Sequence, residues 1–261
     1  MSTMAYHRPA TVAEAAKIST GDPDAKVLAG GQSLLPSMKL GLLAPSALID
    51  LGAIPELRGI RTTGKSITIA AMTSHAAVAA SQEVRAAIPA LANLAVGIGD
   101  AQIRNRGTIG GSLANSDPAA DYPAAVLALN ATIRTNKRTL SADRFFKGLF
   151  ETALAPGELI TAVEFPVPRR AAYVKFPQPA SRFALVGVFV AASPEGVRVA
   201  VTGAGPCAFR AKPLEDALTR QWAPEACAGI CIPAAHLNQD IHGSAEFRAH
   251  LIPVLARRAL Q

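Results

Sequence analysis

Two pairs of adjacent glycines, in Ala29-Gly30-Gly31-Gln32-Ser33 and Thr108-Ile109-Gly110-Gly111-Ser112, lie in the segments of this chain best suited to hold an anion. Glycine lacks the Cβ that keeps a backbone away from a ligand, and it tolerates positive φ. Successive backbone N–H groups can then converge on a phosphate. Ser33, Thr108 and Ser112 place hydroxyls beside the two pairs. One such loop is a common turn. Two with hydroxyl neighbours point to a clamp on a large phosphorylated cofactor.

Other chemistry finds less support. Asp117 and Asp121 could form a carboxylate pair for acid–base work. However, Asp117-Pro118 also starts a turn, and Asp121 precedes an apolar run as an N-cap. Spacing favours capping, although a carboxylate beside a phosphate loop can also hold a ribose or ribityl hydroxyl. Histidines 7, 75, 236, 242 and 250 do not cluster, and Cys207, Cys227 and Cys231 complete no metal site. No serine sits in a nucleophile elbow, so no catalytic residue and no metal ligand is expected. Gly203-Ala204-Gly205-Pro206-Cys207-Ala208 matches dinucleotide-binding spacing. Pro206 interrupts its turn, Pro213 sits where a packed helix should continue, and no strand-ending acid lies about twenty residues on. A tight turn is the expectation there.

The elements that position these residues follow from patterning. Thr11-x-x-Glu14 is a capping box opening a helix through about Ser19. Lys26–Ala29 reads as a strand entering the first glycine pair, Leu34–Leu40 as a helical turn, and Ala47–Leu51 as a buried strand. Ser66–Ala71 alternates as a strand, and Ser74–Ala80 and Val84–Val96 show helical spacing. Residues 97–121 read as one long loop, which inside a compact domain is usually functional. Strands near Ala131–Thr135 and Leu159–Phe165 close this part. Pro166-Val167-Pro168-Arg169-Arg170 is the linker candidate. Beyond it, Ala171–Phe176, Phe183–Ala192 and Val197–Thr202 read as strands, followed by helices at Leu214–Thr219 and Ser244–Leu260.

Composition bounds the setting. With 261 residues, 50% of them hydrophobic, the chain can bury a substantial core. The net charge of +7 comes from 26 scattered basic residues with no aromatic-interleaved stripe, so a basic surface or an acidic partner is expected and nucleic acid is not. No run reaches the ~20 apolar residues of a membrane span, and the few cysteines fit a reducing, cytoplasmic setting.

Gln102-Ile103-Arg104-Asn105-Arg106-Gly107-Thr108-Ile109-Gly110-Gly111-Ser112-Leu113-Ala114-Asn115, with Leu28-Ala29-Gly30-Gly31-Gln32-Ser33-Leu34-Leu35-Pro36, resembles the FAD-binding medium subunit of molybdenum hydroxylases. This is the carbon monoxide dehydrogenase medium-subunit and xanthine dehydrogenase FAD-subunit family. The likeness begins at Tyr6-His7-Arg8-Pro9 and includes Asp117-Pro118-Ala119-Ala120-Asp121-Tyr122-Pro123. It continues through Pro156-Gly157-Glu158-Leu159-Ile160 and Ser181-Arg182-Phe183-Ala184, and ends at Glu246-Phe247-Arg248-Ala249-His250-Leu251.

The resemblance implies an α+β chain. Residues 1–169 would form a two-subdomain FAD-binding domain of the vanillyl-alcohol-oxidase (PCMH) type, divided at about 1–55 and 56–169. Residues 170–261 would form a small antiparallel sheet with helices on one side. It implies that Ala29, Gly30, Gly31, Gln32 and Ser33, together with Thr108, Ile109, Gly110, Gly111 and Ser112, hold the FAD pyrophosphate. Asn115 joins that site, and Asp121 would bind a cofactor hydroxyl. Ile98 and Ile160 match contact positions, the second with a register that could shift by one. Lys175 would lie near the flavin. Phe183 falls where some relatives place a tyrosine beside the flavin ring, and a phenyl group cannot donate the hydrogen bond a hydroxyl would.

The implied role is electron transfer from [2Fe–2S] clusters on a small subunit, through FAD, to a quinone or NAD. Substrate would be hydroxylated on a large molybdenum-cofactor subunit, in a dimer of heterotrimers. A structural subunit without FAD, or a stand-alone flavoprotein oxidoreductase, are the alternatives.

Overall fold

The capping box forms as its spacing requires. The Thr11 hydroxyl accepts the Glu14 N–H at 3.2 Å, while the Glu14 carboxylate accepts the N–H of Thr11. In the computed structural model, which describes residues 4–261, this motif opens the helix between the first two strands. β1 (Ala5–His7), α1 (Val12–Gly21), β2 (Lys26–Leu28), α2 (Leu34–Lys39) and β3 (Ala47–Asp50) make a parallel sheet with β3 in the middle. Ala5 lies opposite Ala47 and Lys26 opposite Leu48. The face carrying Val12, Ala15, Ile49 and Leu51 is buried, as parallel strands with a covering helix require. α2 buries no residue.

The second unit is an antiparallel sheet interrupted by helices. β4 (Ile60–Thr62) and β5 (Ser66–Ala70) precede α3 (His75–Ala80), α4 (Gln82–Ala87), α5 (Pro89–Val96), α6 (Ala101–Arg106), α7 (Ile109–Asn115) and α8 (Tyr122–Ala128). Then come β6 (Thr132–Thr135), β7 (Thr139–Ser141), α9 (Ala142–Phe145), the hairpin β8 (Phe146–Gly148) with β9 (Glu151–Thr152), and β10 (Ile160–Pro166). The sheet order is β4-β5-β10-β6-β7.

Two expectations fail here. Residues 97–121 are not one loop, because Asp100 and Thr108 each cap a short helix, accepting the N–H groups of Ile103 and Gly111. Small and polar residues masked those helices. The helix expected over Val84–Val96 is two helices, since Pro89 pushes Ile88 out of helical geometry, to φ −138° and ψ 72°.

The third unit is the antiparallel sheet of β11 (Arg170–Pro177), β12 (Ala184–Ser193), β13 (Gly196–Thr202) and β14 (Phe209–Arg210), with α10 (Lys212–Arg220) and α11 (Ala245–Ala259). β12 is buried from Ala184 through Ala191 without a break, which needs cover on both faces. Val186, Val188 and Val190 pack with Leu214, Leu251 and Leu255 of the two helices. Phe189 and Ala191 join the core that holds α5 and α8. So α10 and α11 cover one face, and the helices of the second unit cover the other.

The turn before β10 is organised by a buried carboxylate. Glu158 receives Arg138 Nε at 2.9 Å and Nη2 at 3.0 Å, the Thr135 hydroxyl at 2.8 Å and the Ala155 N–H at 2.8 Å. The Arg138 guanidinium, aided by these bonds, holds its carboxyl down at about 2. A carboxylate whose folded pKa is depressed stabilises the fold above about pH 5, and this contribution is lost as pH falls from there toward 2. Glu158→Gln should therefore lower stability at neutral pH by about 2 kcal/mol. It should also flatten the acid side of a urea-denaturation series. An unchanged slope between pH 5 and 2 would show that Glu158 is not the group responsible.

Candidate functional site

The two glycine loops face a common cleft of about 560 Å³. Its walls come from the β2–α2 loop, from residues 103–121, from Leu154, Glu158, Leu159 and Ile160, and from Phe183 of the third unit.

The loops differ in what their backbones can still do. Among the described residues, the N–H groups of Gly31, Gln32, Ser33 and Leu34 have no acceptor. Gly31 takes φ +73°, a conformation that favours glycine and here turns the chain from β2 into α2. Unpaired donors in sequence at the wall of a cleft are suited to an anion. In the second loop the donors from Ile109 to Ser112 are already used. Ile109 N–H goes to Thr73 O at 3.1 Å, Gly110 N–H to Ala71 O at 2.9 Å, and Ser112 N–H to Thr108 O at 3.0 Å. Gly111 N–H goes to Thr108 Oγ1 at 3.1 Å. Besides the Thr108 N–H, what remains on that side is side-chain chemistry, since Ser112 and Asn115 line the cleft and their side-chain polar atoms make no bond among the described residues. Ser33 Oγ equally has no partner among the described residues.

The glycines themselves answer to packing. A Cβ on Gly30 would collide with Arg106 O and come within 2.7 Å of Gly107 Cα. One on Gly110 would lie 2.6 Å from Ala71 Cβ and 2.8 Å from Ala71 O. Both contacts are protein against protein.

Two buried titratable groups complete the walls. Asp121, 4% exposed, sits at the start of α8 but makes no cap bond. Its Oδ1 instead accepts the Tyr173 hydroxyl at 2.5 Å and lies 2.9 Å from Lys175 Nζ. Burial pushes this carboxyl up from its ordinary range, against the pull of Lys175 and Tyr173. His75 also lines the cleft. Burial, aided by the charge of Arg104, pushes its imidazole down to about 4, so it is neutral at pH 7.

Comparison with known proteins gives this geometry a family. Residues 2–168 match the model for the FAD binding domain in molybdopterin dehydrogenase. The chain belongs to that family. It is 37% identical to the carbon monoxide dehydrogenase medium chain of Hydrogenophaga pseudoflava, over 98% of this chain and 95% of that one. It is also 37% identical to the nicotine 6-hydroxylase medium subunit of Paenarthrobacter nicotinovorans, with the same coverage. The solved carbon monoxide dehydrogenase of H. pseudoflava that lacks the Mo-pyranopterin moiety superposes with a TM-score of 0.88, covering 98% of this chain and 96% of that one. The chain is thus an FAD-binding medium subunit of the molybdenum hydroxylase class, part of an oxidoreductase, with FAD as its cofactor.

Within this FAD subunit, most residues singled out from the sequence meet at the cleft. Ala29, Gly30, Gly31, Gln32, Ser33, Ile98, Thr108, Gly110, Gly111, Ser112, Asn115, Asp121, Ile160 and Phe183 all line it. Leu159 lines it beside Ile160, so the one-residue ambiguity in register changes nothing. Ile109 does not line it, being fully buried in the core beneath the loop. Lys175 is also absent from the lining, and its ammonium is turned toward protein acceptors. The capping role favoured for Asp121 is not what its carboxylate does.

His75, Leu43 and Leu154 were missed. No local signal marks the leucines, whereas His75 follows the Ser74 cap of α3, whose start is tied to the second loop by His75 N–H to Gly107 O at 2.9 Å. Gly203, in the apparent dinucleotide motif, takes φ +81° in a turn whose N–H meets Pro118 O, and no phosphate-facing helix follows.

These contacts separate folding from binding. Gly110→Ala should destabilise even the FAD-free chain by about 1–3 kcal/mol through overpacking against Ala71. Thermal unfolding of the cofactor-free protein measures this, and an unchanged midpoint would mean that Gly110 is reserved for the ligand.

Proposed function

We propose that this chain is the FAD-carrying electron-transfer subunit of a cytoplasmic molybdenum hydroxylase. It would take electrons from [2Fe–2S] clusters on a small subunit and pass them to an external quinone or NAD. Substrate oxidation would occur on a large molybdenum-cofactor subunit, the whole forming a dimer of heterotrimers. Residues 1–169 would constitute the FAD-binding domain, with subdomains near 1–55 and 56–169, and residues 170–261 the smaller second domain.

The observation that carries this reading is the row of unpaired N–H groups from Gly31 to Leu34, set against the free side chains of Ser112 and Asn115 across one cleft. The pyrophosphate would lie on the first loop through backbone donors, with Ser33, Ser112 and Asn115 adding side-chain bonds. Thr108 would act mainly by capping α7 and shaping the second loop. Asp121 is placed to accept a cofactor hydroxyl, and Ile98, Ile160 and Phe183 supply apolar wall. FAD, when bound, supplies a carrier that exchanges one or two electrons. The protein's part is to orient it and set its surroundings. Relatives equally similar to this chain are named for carbon monoxide and for nicotine. Such unlike substrates at the same identity support substrate choice on another subunit.

The test is a titration of the purified, cofactor-stripped chain with FAD, followed by absorbance and flavin fluorescence. One FAD per chain should bind, with Kd below about 1 μM. Gly31→Ala should weaken binding about tenfold, since a side chain at that φ disturbs the donor row at a cost of about 1–2 kcal/mol. Failure of the wild-type chain to bind FAD would overturn the reading and leave a structural subunit in its place. A fully bound chain that co-purifies with neither a molybdenum nor an iron–sulfur subunit from its source would favour a stand-alone flavoprotein.

A further inference from the structure

The Lys175 ammonium has three N–H donors and no acceptor. It lies 2.8 Å from Gly97 O, 3.1 Å from Arg182 O and 2.9 Å from Asp121 Oδ1. The two carbonyls accept hydrogen bonds from it and the carboxylate is its ion-pair partner, and its side chain is only 12% exposed. A ligand would have to compete with these contacts for it. We infer that Lys175 is a positioning residue, which locks the loop from Gln178 to Phe183 onto α5 and α8 and thereby fixes one wall of the cleft.

Each of the three partners adjoins that wall. Gly97 precedes Ile98, Arg182 precedes Phe183, and Asp121 lines the cleft itself. One buried ammonium therefore ties together the end of α5, the start of α8 and the β11–β12 connection. The loop it holds is already compact. Gln178 N–H bonds Phe183 O at 2.9 Å, Arg182 N–H bonds Gln178 O at 2.8 Å, and Ser181 N–H bonds the Gln178 side chain at 2.6 Å. Arg182 takes φ +62° to make this closure. A non-glycine residue in that region is held only where its surroundings fix it, and Lys175 binds the carbonyl of that same residue. Without the ammonium, the bonds centred on Gln178 would close the loop on itself but would not anchor it to the neighbouring helices. Tyr173 stands two residues earlier on the same face of β11 and bonds the same Asp121 oxygen, with no hydrogen bond from its hydroxyl to the loop among the described residues.

The loop claim stands on these contacts alone. Its consequence for FAD rests on the function proposed above. Hydrogen exchange of the full chain, read by mass spectrometry, tests the two separately. Lys175→Met should speed exchange across 178–183 at least about tenfold while leaving β12 and β13 protected. Because that variant leaves the Asp121 carboxylate buried without its counter-ion, the double variant Lys175→Met/Asp121→Asn provides a second, charge-balanced background. It should show the same local change. Tyr173→Phe, which disturbs Asp121 but not Arg182, should leave the loop as slow as in the wild type.

Wild-type exchange over 178–183 in the double variant would overturn the inference, as would acceleration spread evenly over the whole chain. Equal acceleration in Tyr173→Phe would overturn it as well. A wild-type chain that binds no FAD would remove the proposed function yet leave these exchange results to stand or fall on their own.

Discussion

The backbone of Gly30 rests against the backbone of Arg106 and Gly107, with no room for a side chain between them. This contact joins the small parallel sheet to the helical part of the second unit, and the cleft lies alongside it. A parallel sheet of three short strands buries little on its own, so where it sits depends on a few close approaches such as this one. The second approach, Gly110 against Ala71 with an N–H to its carbonyl, seats α7 on the end of β5. Together they place the two glycine loops opposite each other. Site and fold thus depend on the same missing Cβ atoms.

That arrangement divides the work between the loops. Donors spent on the protein cannot serve a ligand, because a backbone N–H makes one strong bond. The second loop commits the N–H groups of Ile109 to Ser112 to Thr73, Ala71 and Thr108, which ties it to β5 and to its own cap. The first loop keeps its N–H groups open, with the φ of Gly31 supplying the turn. An anchored face with side-chain donors set against an open face of backbone donors suits a diphosphate. The geometry can also be ready before the ligand arrives, which reduces the ordering cost of binding.

Much of this was legible in the sequence, and the failures have physical reasons. The glycine pairs, the capping box at Thr11 and the strands of the third unit carry strong local signals, and all took shape near their expected positions. The helices within 97–121 did not announce themselves, because Ile-Gly-Gly-Ser-Leu-Ala-Asn has low helix propensity and forms α7 only through its Thr108 cap and its packing. Asp121 looked like an N-cap because it precedes an apolar helix, but its partners lie on a strand far along the chain. No local pattern reports such a pairing. Tyr173 could have been found, since it shares the Lys175 face of β11 by the two-residue period of a strand. Leu43 and Leu154 could not, because only the closure of the fold brings them to the cleft.

Asp121 shows how the third unit takes part in the site. A carboxylate buried this fully needs partners or it must give up its charge. Both partners, Tyr173 and Lys175, come from β11, so the residue that precedes α8 depends on the C-terminal sheet for its partners. That sheet is fastened to the same region by further bonds, from the Thr202 hydroxyl to Pro118 O and from Gly203 N–H to Pro118 O. The loop before α8 is therefore grasped by β13 while its carboxylate is held by β11. A cofactor hydroxyl reaching Asp121 would meet an acceptor oriented from the far side by a different structural unit. The C-terminal sheet thus sets the polarity of the cleft wall while contributing, of the residues that line it, only Phe183.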